Sequence, residues 1–286
     1  TDCAIRAITD DGAFRIITIR TTDMVRGAIA AQEATGACAQ TFAELLTGAV
    51  LVRETMSPEN RVQVVLKPDH HNKGTFATLV ADSHPEGLTR GLVQGEVDDD
   101  NPPRFGEGMV LQVIRVLFNK ELHQGIVPTS SEGGVSKALT DYMMSSEQIT
   151  SVIEVAAHVE DGEVVSAAGF IVQMLPEISV EALAPMLAYL EQRPALREIL
   201  ADRGARPAET MAKLMQDFDH TILSQEPVSF GCLCSQERIL QAMSTLPLDE
   251  IREIVDAGSQ LEIACEYCKP PYIISASQLQ PLLDTQ

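Results

Sequence analysis

Four cysteines constrain this chain more than any other feature. Cys232 and Cys234 lie one residue apart in "GCLCSQERIL"; thirty residues later come Cys265 and Cys268 in "ACEYCKPPY". Two tight pairs, distant in sequence and joined in space, make a four-thiolate tetrahedral set, the usual closed arrangement of structural zinc. The surrounding unit, 228–286, is only about sixty residues long, a size that buries little surface and needs a staple. C-x-x-C spacing is ordinary for zinc, but C-x-C is tighter. In a straight strand its two sulfurs would face opposite sides, so Leu233 must sit in a turn.

The same tightness matters for redox chemistry. Each pair can close a local disulfide after metal loss, given a bent backbone. Neither closes a long loop, so neither removes much unfolded-state entropy. Zinc joins two halves of the unit, whereas two local disulfides do not. Zinc in such sites contributes about 10–16 kcal/mol to folding, against about 5–15 kcal/mol for the stability of a whole domain. Oxidising the ligands should therefore unfold the unit. Spacing alone leaves two readings open, a permanent zinc ribbon and a redox switch. Cys3 and Cys38 lie far from the motif and read as small apolar residues.

Charge and composition narrow the classes. The chain has 286 residues, 45% of them hydrophobic, with 4% aromatics and no Trp, so an aliphatic core is expected. A net charge of −20 repels phosphate backbones, which argues against generic nucleic-acid binding. No run of 18 apolar residues offers a membrane span. The N-terminal stretch "TDCAIRAITDDGAFRIITIR" lacks the marks of an export signal. The expected compartment is the cytoplasm, where cysteine pairs are metal ligands or redox switches more often than permanent disulfides.

Three segments follow from the pattern. Residues 1–178 read as an α+β domain with a mixed or antiparallel sheet. Strands are expected at 14–20, 61–67, 74–82, 108–118, 123–129, 150–160 and 168–175, and a helix at 133–144. Thr41 and Glu44 fit a capping box, which either starts a helix or sits inside a longer one over about 25–55; Ser57-Pro58 ends it. Residues 179–227 read as a linker of short helices, interrupted by Pro185, Pro194 and Pro207, that must pack on something to bury its apolar face. In 228–286, Ser235 caps a helix at 235–246. Asp249 and Glu250 open another that Gly258 stops, and "LEIA" and "YIIS" form a hairpin around the second cysteine pair.

The cysteine pattern, together with "LTDYMMSSEQITS" (139–151), "AGFIVQMLPE" (168–177), "FGCLCSQERILQAMSTLPLDEI" (230–251) and "IACEYCKPPYIIS" (263–275), resembles the heat-shock protein 33 family of redox-regulated holdase chaperones. "NKGTFATLVAD…GLTRGLVQGEV" (72–97) is similar to the family's paired strands with an Arg-Gly turn. The resemblance covers nearly the whole chain. It implies an α/β domain, a helical linker and a C-terminal zinc domain, without ATP use or enzymatic activity. Cys232, Cys234, Cys265 and Cys268 would be the ligands of one zinc ion in the reduced form. On oxidation they would form the disulfides Cys232–Cys234 and Cys265–Cys268. Zinc loss would then free apolar surface on 179–226, and on the sheet it covers, for unfolding client proteins, with a homodimer as the active form. Met143 stands where the family often has Phe, and Lys269 where a glycine commonly follows the second pair and eases the turn.

Rival chemistries fit less well. A thioredoxin-type C-x-x-C opens a helix, but Lys269-Pro270-Pro271 and a strand-like stretch follow Cys268. A nucleic-acid zinc ribbon would want a basic patch beside the cysteines. His70-His71 sits in a polar turn, and Glu154 with His158 lies on a strand without an H-E-x-x-H pattern. No hydrolase elbow or phosphate loop occurs.

Overall fold

The computed structural model describes residues 1–69, 77–95, 104–106, 108–160, 162–176, 180–193, 195–201, 207–214 and 218–284. They form two compact units, Thr1–Phe230 and Gly231–Gln286.

The first unit is built from two sheets with helices between them. Strands β1 (Cys3–Thr9) and β2 (Phe14–Arg20) form a hairpin, followed by helices α1 (Thr22–Gln32) and α2 (Gly36–Glu54). Then come β3 (Arg61–Pro68), β4 (Thr78–Ser83), β5 (Leu88–Gln94), β6 (Met109–Val116) and β7 (Leu122–Pro128). Helix α3 (Gly134–Ser145) precedes the long hairpin of β8 (Ser151–Glu160) and β9 (Glu163–Met174). Helices α4 (Val180–Gln192), α5 (Leu196–Ala201) and α6 (Pro207–Leu214) lead into β10 (His220–Pro227) and the short β11 (Ser229–Phe230).

One sheet runs β10-β1-β2-β9-β8 and is antiparallel throughout; the other runs β11-β5-β4-β3-β6-β7, antiparallel except for β11 beside β5. The mixed α+β class expected from the strand count is the class observed. Helix α2 packs on β2, β3, β4, β8 and β9, and Leu45, Leu46, Val50 and Leu51 are fully buried. The main core is this inter-sheet layer.

The five-stranded sheet is apolar on both faces, which explains why "FRIITIR" alternates only loosely. Ile17 and Ile19 of β2 and Ile171 of β9 enter the main core. Their neighbours Phe14, Ile16, Phe170 and Val172, with Ile5 and Ala7 of β1, face a second core. That core is closed by Met186 of α4, Leu196 of α5 and Met211 of α6. Period-2 alternation on a strand thus serves two layers. Polar contacts hold the cover as well. Glu154 of β8 pairs with Arg193 and accepts from the Leu196 amide at 2.6 Å, filling an otherwise unpaired donor at the start of α5. The Arg193 guanidinium lies 4.4 Å above the Phe170 ring. Arg197 meets Glu44 of α2 at 3.0 Å.

On the six-stranded sheet, Asp82 is fully buried among Arg61 (2.6 Å), Arg90 (2.9 Å) and His84 (3.0 Å). Burial alone would raise its carboxyl; hydrogen bonds from His84 and Arg61 outweigh that and hold it well below the usual carboxylate range.

Several expectations are corrected. Thr41 lies inside α2, whose N-cap is Thr35, so Thr41 and Glu44 form no capping box. The 25–55 stretch is two helices, separated where Glu33 takes a left-handed φ of 53° and closes α1. Pro185 does not interrupt α4 but lies within it, sacrificing the bond to the carbonyl of residue 181. Arg90-Gly91 is mid-strand in β5, where the added Cβ of any larger residue at 91 would sit 2.5 Å from the Phe42 ring. Residues 220–227, grouped with the helical linker, form strand β10, paired with β1 from His220 to Pro227. The turn holding His70 and His71 lies outside the described residues.

Candidate metal centre

The second unit is small. Helices α7 (Gln236–Met243) and α8 (Leu248–Asp256), the hairpin of β12 (Leu261–Ala264) and β13 (Pro271–Ile274), and α9 (Ala276–Asp284) surround a core whose buried members are Met243, Ile251, Ile274 and Leu279. Ser235 caps α7, its hydroxyl accepting from the Arg238 amide at 3.3 Å. Asp249 and Glu250 occupy the first turn of α8, and Gly258 follows it with a φ of +61°. So thin a core needs a further constraint.

The cysteines converge where that constraint would act. The first pair lies on irregular chain between β11 and α7, which frees Leu233 from strand geometry; the second pair sits in the β12–β13 connection. The four sulfurs lie within 4.8 Å of one another. Contacts run across the pairs, with Cys232 Sγ 3.7 Å from Cys265 Sγ and Cys234 Sγ 3.1 Å from Cys268 Sγ. A tetrahedral ion with Zn–S bonds of about 2.3 Å spaces its sulfurs by about 3.8 Å, so the donors fit in number, kind and spacing. Without a cation Cys268 resists ionisation. Burial, then hydrogen bonds to Cys234, Cys265 and Cys232, push the Cys268 thiol strongly upward. A bound divalent cation reverses that balance and deprotonates its thiols.

The turn of the second knuckle has its own demand. The Lys269 amide donates to the Cys265 carbonyl at 2.7 Å, and Lys269 takes a φ of +65°. This is the left-handed region that glycine enters freely and a side chain enters at a cost.

Sequence reading missed a neighbour. Tyr272 of β13 lies 3.0 Å, hydroxyl to sulfur, from Cys234. Hydrogen bonding to Cys234 pushes its phenol up to about 12, so it keeps its proton. The hairpin of "LEIA" and "YIIS" was the available signal, since its register sets Tyr272 opposite Ile263.

The other residues singled out have structural employment. Cys38 is buried and its thiol pushed up to about 11 by burial; Cys3, on β1, accepts from Gln225. His158 pairs with Glu160 at 2.9 Å rather than with Glu154. In the Ser146-Glu147-Gln148 stretch, Glu147 accepts from the Tyr142 hydroxyl and pairs with Arg115 at 2.7 Å, tying α3 to β6. A cavity of about 430 Å³ in the first unit is lined by Arg6, Arg53, Glu54 and Glu226 among others, with Glu54 paired to both arginines.

Comparison with known proteins agrees with this architecture. The family model described as "Hsp33 protein" matches residues 2–275. The 33 kDa chaperonin of Halalkalibacterium halodurans is 26% identical, with 99% of each chain covered. That of Clostridium botulinum (strain Langeland) is 28% identical, over 99% of this chain and 97% of its own. The crystal structure of the 33 kDa chaperonin (heat shock protein 33 homolog) from Thermotoga maritima superposes with a TM-score of 0.82 at 22% identity, covering 99% of this chain and 98% of that one. With its family match spanning almost the full length, this chain belongs to the Hsp33 family.

Proposed function

We propose that this chain is an ATP-independent holdase chaperone, held inactive by zinc and activated by oxidation of the zinc ligands. The observation that carries the reading is the convergence of four thiols in a unit whose own core is too thin to hold it. Cys232, Cys234, Cys265 and Cys268 would bind one zinc ion, which supplies a fixed charge joining the two knuckles. Removing it takes away about 10–16 kcal/mol, enough to unfold a unit of this size.

The proposed division is a core domain over 1–178 completed by strand β10 (His220–Pro227), a helical linker over 179–219 and a redox-sensing domain over 228–286. The second core supports a place for client binding. Met186, Leu196 and Met211 cover Ile5, Phe14, Ile16 and Phe170, so departure of the linker would expose apolar surface on both partners. The ligands for that surface are unfolding proteins, which display apolar segments without needing a defined sequence. The site is proposed to act in the cytoplasm, in a homodimer when active, without catalysis; among the described residues, no helix is long and apolar enough to cross a membrane.

Oxidation consumes two thiolates per disulfide. One sulfur attacks a peroxide oxygen, the O–O bond breaks and hydroxide leaves; a second sulfur displaces the sulfenic oxygen as another hydroxide. The proposed products are Cys232–Cys234 and Cys265–Cys268. The short contacts in the folded cluster run across the pairs, but all four sulfurs lie within 4.8 Å of one another, so the partner within each pair is also near at hand.

The test is zinc release during peroxide treatment at raised temperature, with aggregation of a heat-unfolded client followed in parallel. Stoichiometric release with simultaneous suppression of aggregation is the expected result. Zinc released with no gain of holding activity would leave a structural zinc domain and refute the switch.

A further inference from the structure

We infer that Tyr272 donates a hydrogen bond to the Cys234 thiolate and sets how fast that sulfur reacts with an oxidant. The inference rests on the four-thiolate reading above. Its geometry is specific. Tyr272 Oη lies 3.0 Å from Cys234 Sγ. The β12–β13 hairpin fixes Tyr272 opposite Ile263, and the connection between those strands carries Cys265 and Cys268. The bond therefore starts on the second knuckle's scaffold and ends on a ligand of the first. One residue further along β13, the Ile273 carbonyl accepts from Gln236 Nε2 at 3.0 Å. Two successive residues of one strand thus grip Cys234 and the start of the helix that follows it.

Direction follows from proton bookkeeping. Between a thiol and a phenol either group can donate, but a thiolate has no proton, so the phenol must donate to it. Such a bond draws electron density off the sulfur. Oxidation begins with that density: a Cys234 lone pair attacks one oxygen of the peroxide, the O–O bond breaks, hydroxide leaves and a sulfenic acid forms. A neighbouring thiolate then attacks the sulfenic sulfur, the S–O bond breaks and a second hydroxide leaves with the disulfide formed. Two thiolates have lost two electrons and one peroxide has gained them. A donor on the attacking sulfur slows the first step at Cys234 and leaves the other three thiolates to react ahead of it.

The experiment compares the full-length, zinc-loaded parent with Tyr272→Phe, which removes only the hydroxyl, and Gln236→Ala, which removes the adjacent bond without touching a sulfur. Peroxide oxidation of Cys234 itself, read residue by residue from alkylation and mass spectrometry, should be about three- to tenfold faster in Tyr272→Phe, given the strength of charge-assisted hydrogen bonds and the known sensitivity of thiolate nucleophilicity to basicity. It should be unchanged in Gln236→Ala. In the cobalt-substituted proteins, the thiolate-to-metal charge-transfer band should shift to lower energy in Tyr272→Phe alone. A Tyr272→Phe variant with the parent's rate and band overturns the inference and leaves the metal reading standing. Equal acceleration in Gln236→Ala overturns it too, because general loosening would then be the cause. A parent that yields no four-thiolate cobalt spectrum overturns both.

Discussion

At the scale of single residues, the second knuckle shows how a local backbone requirement can survive an unfavourable side chain. Lys269 adopts a φ of +65° because its amide must reach the Cys265 carbonyl. Glycine would reach the same geometry without steric penalty. Lys269→Gly should therefore stabilise the metal-bound turn by about 1 kcal/mol, the low end of the left-handed penalty, tightening zinc about fivefold. Competition with a chelator under reducing conditions measures this directly; weaker binding by the variant would show that the Lys269 side chain contributes something the turn geometry does not. The clustering of the four cysteines was legible in the sequence because metal chemistry restricts residue type and spacing together. Tyr272 was not, because its role depends on a pairing register rather than on a motif. Asp82 was equally hidden: its partners Arg61 and Arg90 come from different strands, and only the sheet brings them together.

At the scale of elements, strands that serve one or two buried layers were readable from their apolar content, whereas β10 was not. It is an edge strand paired with β1 alone in its sheet, and Ile222 and Leu223 stand exposed side by side, so it carries no inward-facing alternation. Proline was over-read in α4, where the missing hydrogen bond is outweighed by packing of Met186. The attachment of the linker is partly polar, and that makes it separable from the cysteines. Glu154 meets both Arg193 and the Leu196 amide, so Glu154→Gln weakens two charge-assisted contacts at once. The loss should lower the opening free energy of α4 and α5 by about 1–3 kcal/mol. Hydrogen exchange in the reduced, zinc-bound protein should show that loss over 180–201 with protection of 236–256 unchanged. Unaltered exchange over 180–201 would mean that the Glu154 contacts do not help to hold the cover.

At the scale of the whole molecule, two units of unequal self-sufficiency share one chain. The first has a continuous inter-sheet core, whereas the second has, among its described residues, a core of four buried apolar side chains and a cluster of thiols. Removing the metal with a chelator under reducing conditions should melt α7, α8 and α9 while leaving the strands of the first unit folded. Circular dichroism should record a loss of helical signal without loss of the sheet, and amides of 236–284 should lose protection. Retained protection there in the metal-free protein would refute the dependence of this unit on its ligand. The fold class was legible because strand number and connection length restrict the layers available. The closure of the second core was not, because the sequence said that 179–219 must cover something without saying what.

The strand β10 gives the linker a property that a helical tail would lack. Its chain leaves the five-stranded sheet at β9 and rejoins it at β10, with β2 and β1 lying between. The two anchorages are three strand spacings apart, about 14 Å. Helices that detach from this face become a slack strap fastened at both ends rather than a free arm. The anchors hold the strap at a high local concentration over its own binding face, and the entropy to be recovered grows only slowly with its length. Re-covering the sheet is therefore a local event that needs no search. In the proposed switch, set against the seconds to hours of thiol–disulfide chemistry, this would make the chemical step, rather than the mechanical one, the clock that decides how long the surface stays open.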